Sequence, residues 1–159
     1  MKRLVLLLLC FALSAFAADD PFQANVSNTT MLNPECPVTL TGIYAGPQGH
    51  GGARVSVHFV NASERRVIAV KMGLTGFDAT RDAHDFSEPY ALAVNLKPHK
   101  EAQPIWRVSD EDFDVDTASG ARVYLMKVVY GNGATWEDDG TRSCSLSIEG
   151  IAKPRHRDE

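Results

Sequence analysis

The densest cluster of reactive side chains in this chain is Asp110-Glu111-Asp112-Phe113-Asp114-Val115-Asp116. Carboxylates in such number suit calcium, a hard cation that takes about six to eight oxygen ligands. Asp112, Asp114 and Asp116 are the candidate ligands. Measured as an EF-hand loop from Asp112, the spacing fails: Thr117 stands where glycine is needed and Val123 where glutamate is needed. The same run also reads as an edge strand, with Phe113 and Val115 inward and the aspartates wet, where charge discourages edge-to-edge pairing. A short helical turn capped by Ser109 is a third reading.

The histidines are His50, His58, His84, His99 and His156, and only His84 has neighbouring carboxylates, in Asp82-Ala83-His84-Asp85. Zinc needs three or four converging ligands, and no His/Cys pair here has a recognisable ligand spacing. No cofactor is expected. The chain has no Gly-x-Ser-x-Gly elbow, because Cys144 ends the segment Gly140-Thr141-Arg142-Ser143-Cys144. Gly46 to Gly52 lacks the Lys-Ser/Thr ending of a phosphate-binding loop and reads as a connection between strands. His58 alternates outward on its strand and reads as a solvated surface residue. His50 and His84, in polar loops, are candidate contact residues. Trp106 beside Arg107 reads as the buried tryptophan, and Trp136, near a strand end before Glu137-Asp138-Asp139, as the exposed one and a further candidate contact.

These side chains must be positioned by strands, because the apolar period is two nearly everywhere. Val55, Val57 and Phe59 point one way, then Ile68, Val70, Met72 and Leu74, then Tyr90, Leu92, Val94 and Leu96 until Pro98. Pro104 opens a short strand over Ile105-Trp106-Arg107-Val108. Ala121 to Tyr130 is apolar on both faces apart from Arg122 and Lys127, as befits a central strand. Gly131-Asn132-Gly133 is a tight-turn signal. Seven to eight short strands with no amphipathic helix predict an all-β fold, a single antiparallel immunoglobulin-like sandwich over residues 36–150.

The N-terminus sets the compartment. Lys2 and Arg3 precede an apolar run from Leu4, and Ala15-Phe16-Ala17 supplies the small residues a signal peptidase reads. Residues 1–17 are therefore expected to be a cleaved signal peptide, too short for the roughly 18–20 residues of a membrane span. Cys10 follows Leu9 in mid-run, which does not suit a lipoprotein. Residues 18–35 read as a flexible leader and 151–159 as a charged tail. The expected location is extracytoplasmic, periplasmic or secreted.

Loss of residues 1–17 leaves 14 basic against 20 acidic residues and two cysteines, Cys36 and Cys144. The acidic balance speaks against nucleic acid or an anionic membrane as partner. Cys36, Val38 and Leu40 alternate with polar residues, as do Cys144, Leu146 and Ile148, so both thiols face inward at the domain's extremities. An oxidising compartment then predicts a Cys36–Cys144 disulfide. Asn25-Val26-Ser27, Asn28-Thr29-Thr30 and Asn61-Ala62-Ser63 match the glycosylation acceptor pattern.

A strand running into Asn61-Ala62-Ser63, a second strand over Val67 to Thr75, and Phe77-Asp78 after it resemble the immunoglobulin-like FxLYD-type domains of bacterial exported proteins. The likeness covers Val55 to Asp82, and Phe77-Asp78 stands where that family has a longer aromatic-Asp signature. It implies a sandwich fold and an accessory or binding role, and carries no catalytic residues. The function expected is a non-catalytic binding or interaction module for a protein or envelope component. Its contacts would come from loops at Gly46–Gly52, Thr80–Pro89 and Gly131–Gly140. The alternatives are a calcium-stabilised structural domain and a small hydrolase using loop carboxylates with His84.

Overall fold

Alternating Val, Ile and aromatic residues favour extended backbone because branched side chains pack well on a pleated surface. A computed structural model of the chain describes residues 35–48, 52–86, 88–109 and 118–149, and among these there is no helix. The strands are β1 (Val38–Gln48), β2 (Gly52–Asn61), β3 (Val67–Phe77), β4 (Ala83–Asp85), β5 (Tyr90–Leu96), β6 (Glu101–Ala102), β7 (Ile105–Ser109), β8 (Gly120–Tyr130), β9 (Thr135–Glu137) and β10 (Ser145–Glu149). Every pairing is antiparallel. The fold is an all-β antiparallel sandwich. Ten strands appear rather than seven or eight, chiefly because β4 and β6 have only three and two residues. Such pieces are too short to show a period.

One sheet has four strands, with β2 flanked by β1 on one side and by β6 and β7 on the other. The second has six, with β8 and β3 at its centre, β10 and β9 outside β8, and β4 and β5 outside β3. Ile43, Val55, Val57 and Phe59 from the first sheet face Met72, Val123, Leu125, Val128, Leu146 and Ile148 from the second, all essentially inaccessible. The expected central strand is β8.

Three register shifts break the period, one of them where Lys71 pairs with Lys127 but Met72 with Leu125, so that Met126 is extra. Leu40 pairs with Phe59 but Gly42 pairs with His58, so Thr41 is an extra residue and Ile43 and Ala45 take over the inward positions. A second bulge between Val67 and Ala69 turns Ile68 outward, 37% exposed, although strict alternation with Val70 and Met72 predicts it inside. Val67 fills that place in the core.

Both flanks of the sandwich are pinned. On one, Cys36 and Cys144 form a disulfide across 108 residues, Cα atoms 5.6 Å apart. The cysteines lie just outside β1 and β10 rather than within them, and both are buried. On the other, Tyr90 of β5 stacks on Trp106 of β7 with ring centroids 5.2 Å apart and planes 16° off parallel. The Tyr90 hydroxyl donates to the Ile105 carbonyl at 3.3 Å. Offset aromatic pairs add about 0.5–1.5 kcal/mol beyond their burial.

Asn61 ends β2 as a wholly buried polar residue. Its Nδ2 donates to the carbonyls of Arg65 (2.8 Å) and Leu96 (3.1 Å). Its Oδ1 accepts from the Ser63 amide (3.0 Å) and hydroxyl (2.7 Å). Its backbone joins the turn after β5, donating to the Lys100 carbonyl and accepting from the His99 amide, both at 2.9 Å. One side chain thus closes the β2–β3 turn and ties it to the neighbouring turn. Nδ2 is also the atom a glycan would occupy, so the folded domain cannot carry a sugar at the Asn61-Ala62-Ser63 triplet.

Two outcomes follow. Cys36→Ala with Cys144→Ala should lower stability by about 4–5 kcal/mol, the chain-entropy value for a loop of this length, read from urea unfolding midpoints. An unchanged midpoint would show that the cross-link constrains nothing. Asn61→Asp turns two donors into an acceptor facing carbonyls, and should cost about 3–5 kcal/mol in the same assay.

Candidate functional site

Pairing places the outward residues of β1, β2 and β7 in rows. Tyr44 lies opposite Ser56 and Ser56 opposite Ile105, while Gly46 lies opposite Arg54 and Arg54 opposite Arg107. Tyr44 and Ile105 are 36% and 44% exposed, two of the three large hydrophobics so exposed among the described residues. The next row pairs Gly42 with His58. Gly42 has no side chain there, and Tyr44 and His58 meet edge to face, centroids 5.1 Å apart. His58 is half-buried rather than fully solvated, and its Nε2 is closed off without a hydrogen-bond partner. Buried polar atoms are normally paired, so this nitrogen is a local cost.

Arg54 and Arg107 are directly opposed, a like-charge pairing that destabilises a sheet by a few tenths to about 1 kcal/mol. Neither has an acidic partner among the described residues. Exposed tyrosine and isoleucine thus lie beside two opposed arginines on this face.

The outer face of the six-stranded sheet is built differently, with Lys127, Arg122 and Arg142 each partnered. Lys71 and Lys127 are opposed across β3 and β8, but Lys127 Nζ lies 2.5 Å from the Glu137 carboxylate. Arg122 donates from Nε to the Ser147 hydroxyl at 3.0 Å and lies over the Phe77 ring. Arg142 forks onto Asp85 through two bonds, 3.0 Å to Oδ1 and 2.7 Å to Oδ2, and lies 4.2 Å from the Tyr124 ring centroid. Tyr124 lies across Gly73, where an added Cβ would meet its Cζ at 2.2 Å, so glycine is required beneath it. The Thr75 hydroxyl also donates to Asp85 Oδ1. These bonds, that from Arg142 foremost and that from Thr75 next, hold the Asp85 carboxyl below its ordinary value of 3.8.

The residues singled out from sequence are dispersed. His84 sits half-buried on β4 with its ring edge-on to Phe86, 5.4 Å away, and its neighbour Asp85 is committed to Arg142. Trp136, expected to be exposed, is half-buried on β9 and packs against the core beside Val128, because the hairpin folds β9 back onto β8. The expected contact loops contain strands: Thr80–Pro89 holds β4 and Gly131–Gly140 holds β9, while the β1–β2 ladder runs on to Gln48 opposite Gly52. His50, Asp112, Asp114 and Asp116 lie outside the described residues, as do residues 1–17 expected as a signal peptide, most of the expected leader, the expected tail, and Asn25 and Asn28. No cluster of three metal-binding side chains occurs among the described residues, and no described helix is long and apolar enough to cross a membrane. Tyr44, Arg54, Ile105 and Arg107 went unread as a group. The signal for Arg54 and Arg107 was their place beside the inward Val55 and Trp106.

Fold and site together define a disulfide-linked antiparallel sandwich that opposes two arginines on one outer face and partners Lys127, Arg122 and Arg142 on the other. No family model matches the chain, and no curated protein matches it. Among solved structures it is similar to a hypothetical protein of Peptoclostridium difficile 630, at 8% identity and TM-score 0.45, over 67% of this chain and 89% of that one. It is also similar to a structural-genomics target, SoR45, at 9% identity and TM-score 0.38, over 74% of this chain and 88% of that one.

The Asp85–Arg142 pair has a pH signature. A depressed folded pKa contributes stability above the unfolded value of about 3.9 and loses it as pH falls through the folded one. With the Asp85 side chain 49% exposed, the contribution is about 1 kcal/mol or less. Wild type and Asp85→Asn should therefore differ in urea unfolding at pH 7 and converge below about pH 3. A gap unchanged at acid pH would place its origin elsewhere.

Proposed function

We propose that this protein is an exported, non-catalytic binding module whose contact surface is the outer face of the β1–β2–β7 sheet. The observation that carries the reading is the asymmetry between the two outer faces. On the six-stranded sheet Lys127, Arg122 and Arg142 have carboxylate, hydroxyl or aromatic partners and Lys71, opposite Lys127, lies in the field of Glu137, whereas Arg54 and Arg107 oppose one another with no such partner among the described residues. Exposed tyrosine and isoleucine beside unpaired arginine match the composition of protein-contact hot spots, where Tyr and Arg are enriched and Lys is depleted. The disulfide supports export, since such bonds persist outside the reducing cytosol. The acidic balance left after loss of residues 1–17, 14 basic against 20 acidic residues, favours a protein or envelope component over nucleic acid as partner.

Immobilised wild-type protein should retain a partner from an extracytoplasmic extract of its source organism. Tyr44→Ala and Arg107→Glu should each weaken retention about tenfold or more, the loss expected of a hot-spot residue. Lys71→Glu and Arg122→Glu, on the opposite sheet, should leave it unchanged. Equal retention by all four variants, or loss only from the six-stranded sheet, would remove the assignment of this face.

A further inference from the structure

At the end of the sandwich where β2 turns into β3 lies an open cleft of about 350 Å³, lined by Arg65, Arg66, Tyr130, Gly131 and Asn132. Its size is at the lower end of small-molecule sites, about 300–1,000 Å³. Both guanidinium groups are held in place. Arg65 lies over the Tyr130 ring, 5.4 Å from its centroid, and its carbonyl is fixed by Asn61 Nδ2. Arg66 Nε donates to Asn95 Oδ1 at 2.5 Å, and its carbonyl accepts from the Gly131 amide at 2.8 Å.

Neither arginine spends its terminal nitrogens on a carboxylate among the described residues. Glu64, the adjacent acid, turns to His99 Nε2 at 3.2 Å. Asn132 accepts from the Ala134 amide through Oδ1, and its Nδ2 has no partner among the described residues. Two arginines, an asparagine and an aromatic ring thus line one concavity without a lining acid. Planar guanidinium groups bind tetrahedral oxyanions through paired, charge-assisted hydrogen bonds.

From this arrangement we propose that the cleft is a binding site for a phosphate or sulfate group, free or as the head of a small ester. Arg65, Arg66 and Asn132 supply the donors, Tyr130 supplies the apolar wall, and Asn95 positions Arg66. The site lies apart from the Arg54–Arg107 face and stands independently of the function proposed for it.

The test is a titration of the purified, isotope-labelled protein, followed by NMR, with inorganic phosphate, inorganic sulfate and glycerol 3-phosphate in parallel. Saturable shifts at residues 65, 66, 131 and 132 are expected, with a dissociation constant of about 1 mM or tighter. Stronger binding of glycerol 3-phosphate than of both inorganic ions would identify an ester as the ligand, and the reverse a free ion. Arg66→Gln should weaken binding at least tenfold and Asn95→Ala several-fold, with unfolding midpoints confirming that both variants are folded. Lys71→Gln with Arg122→Gln, which removes two charges elsewhere, should leave binding unchanged. The proposal is overturned if no ion gives saturable shifts, or if the control weakens binding as much as Arg66→Gln does.

Discussion

Two apolar sheet faces must meet in the interior, and in a strand of period two that demand also decides what lies outside. Val55 and Trp106 are opposed across β2 and β7 and both belong to the core. Their neighbours Arg54 and Arg107 are therefore forced outward and opposite one another. A one-residue slip would relieve the repulsion only by turning the core face of the slipping strand into water. Burying a large apolar side chain stabilises by about 1.5–3 kcal/mol, several times what a like-charge pair costs. Packing wins, and the charge conflict remains on the surface.

The flanking contacts keep the sheets in that relation. The Cys36–Cys144 bond joins the edges formed by β1 and β10, and the Tyr90–Trp106 stack joins those formed by β5 and β7. Asn61 adds a third constraint, because its buried amide fixes two turns at one end. With the scaffold held at three places, the outer faces are free to differ. The six-stranded sheet resolves its like charges locally, through Glu137 for Lys127 and Asp85 for Arg142. The four-stranded sheet leaves Arg54 and Arg107 opposed and the His58 Nε2 without a hydrogen-bond partner.

Much of this was legible before the structure, for a physical reason: half-buried strands print their period directly into the residue order. The alternation around Cys36 and Cys144 foretold their meeting, and the two-sided apolarity of Ala121 to Tyr130 foretold the central strand. The misses fall where the period breaks or where contacts are distant in sequence. The extra residue at Thr41 shifts the phase of β1, so Tyr44 emerges at a position that alternation from Leu40 would bury. A bulge after Val67 does the same to Ile68. Asn61 looked like a glycosylation acceptor because the triplet is local, while the carbonyl of Leu96 that claims its amide is 35 residues away. The fork between Arg142 and Asp85 spans 57 residues and leaves no local trace.

The most direct measurement compares the unfolding free energy of wild type and Arg107→Glu at low and at high salt. If Arg54 faces an uncompensated like charge, the reversal creates a cross-strand ion pair. It should then raise stability by about 0.5–1 kcal/mol at low ionic strength. Most of that gain should vanish near 1 M salt, where the screening length is about 3 Å. A reversal that leaves low-salt stability unchanged, or lowers it, would mean that the two arginines are already satisfied and that the face holds no conflict for a partner to relieve.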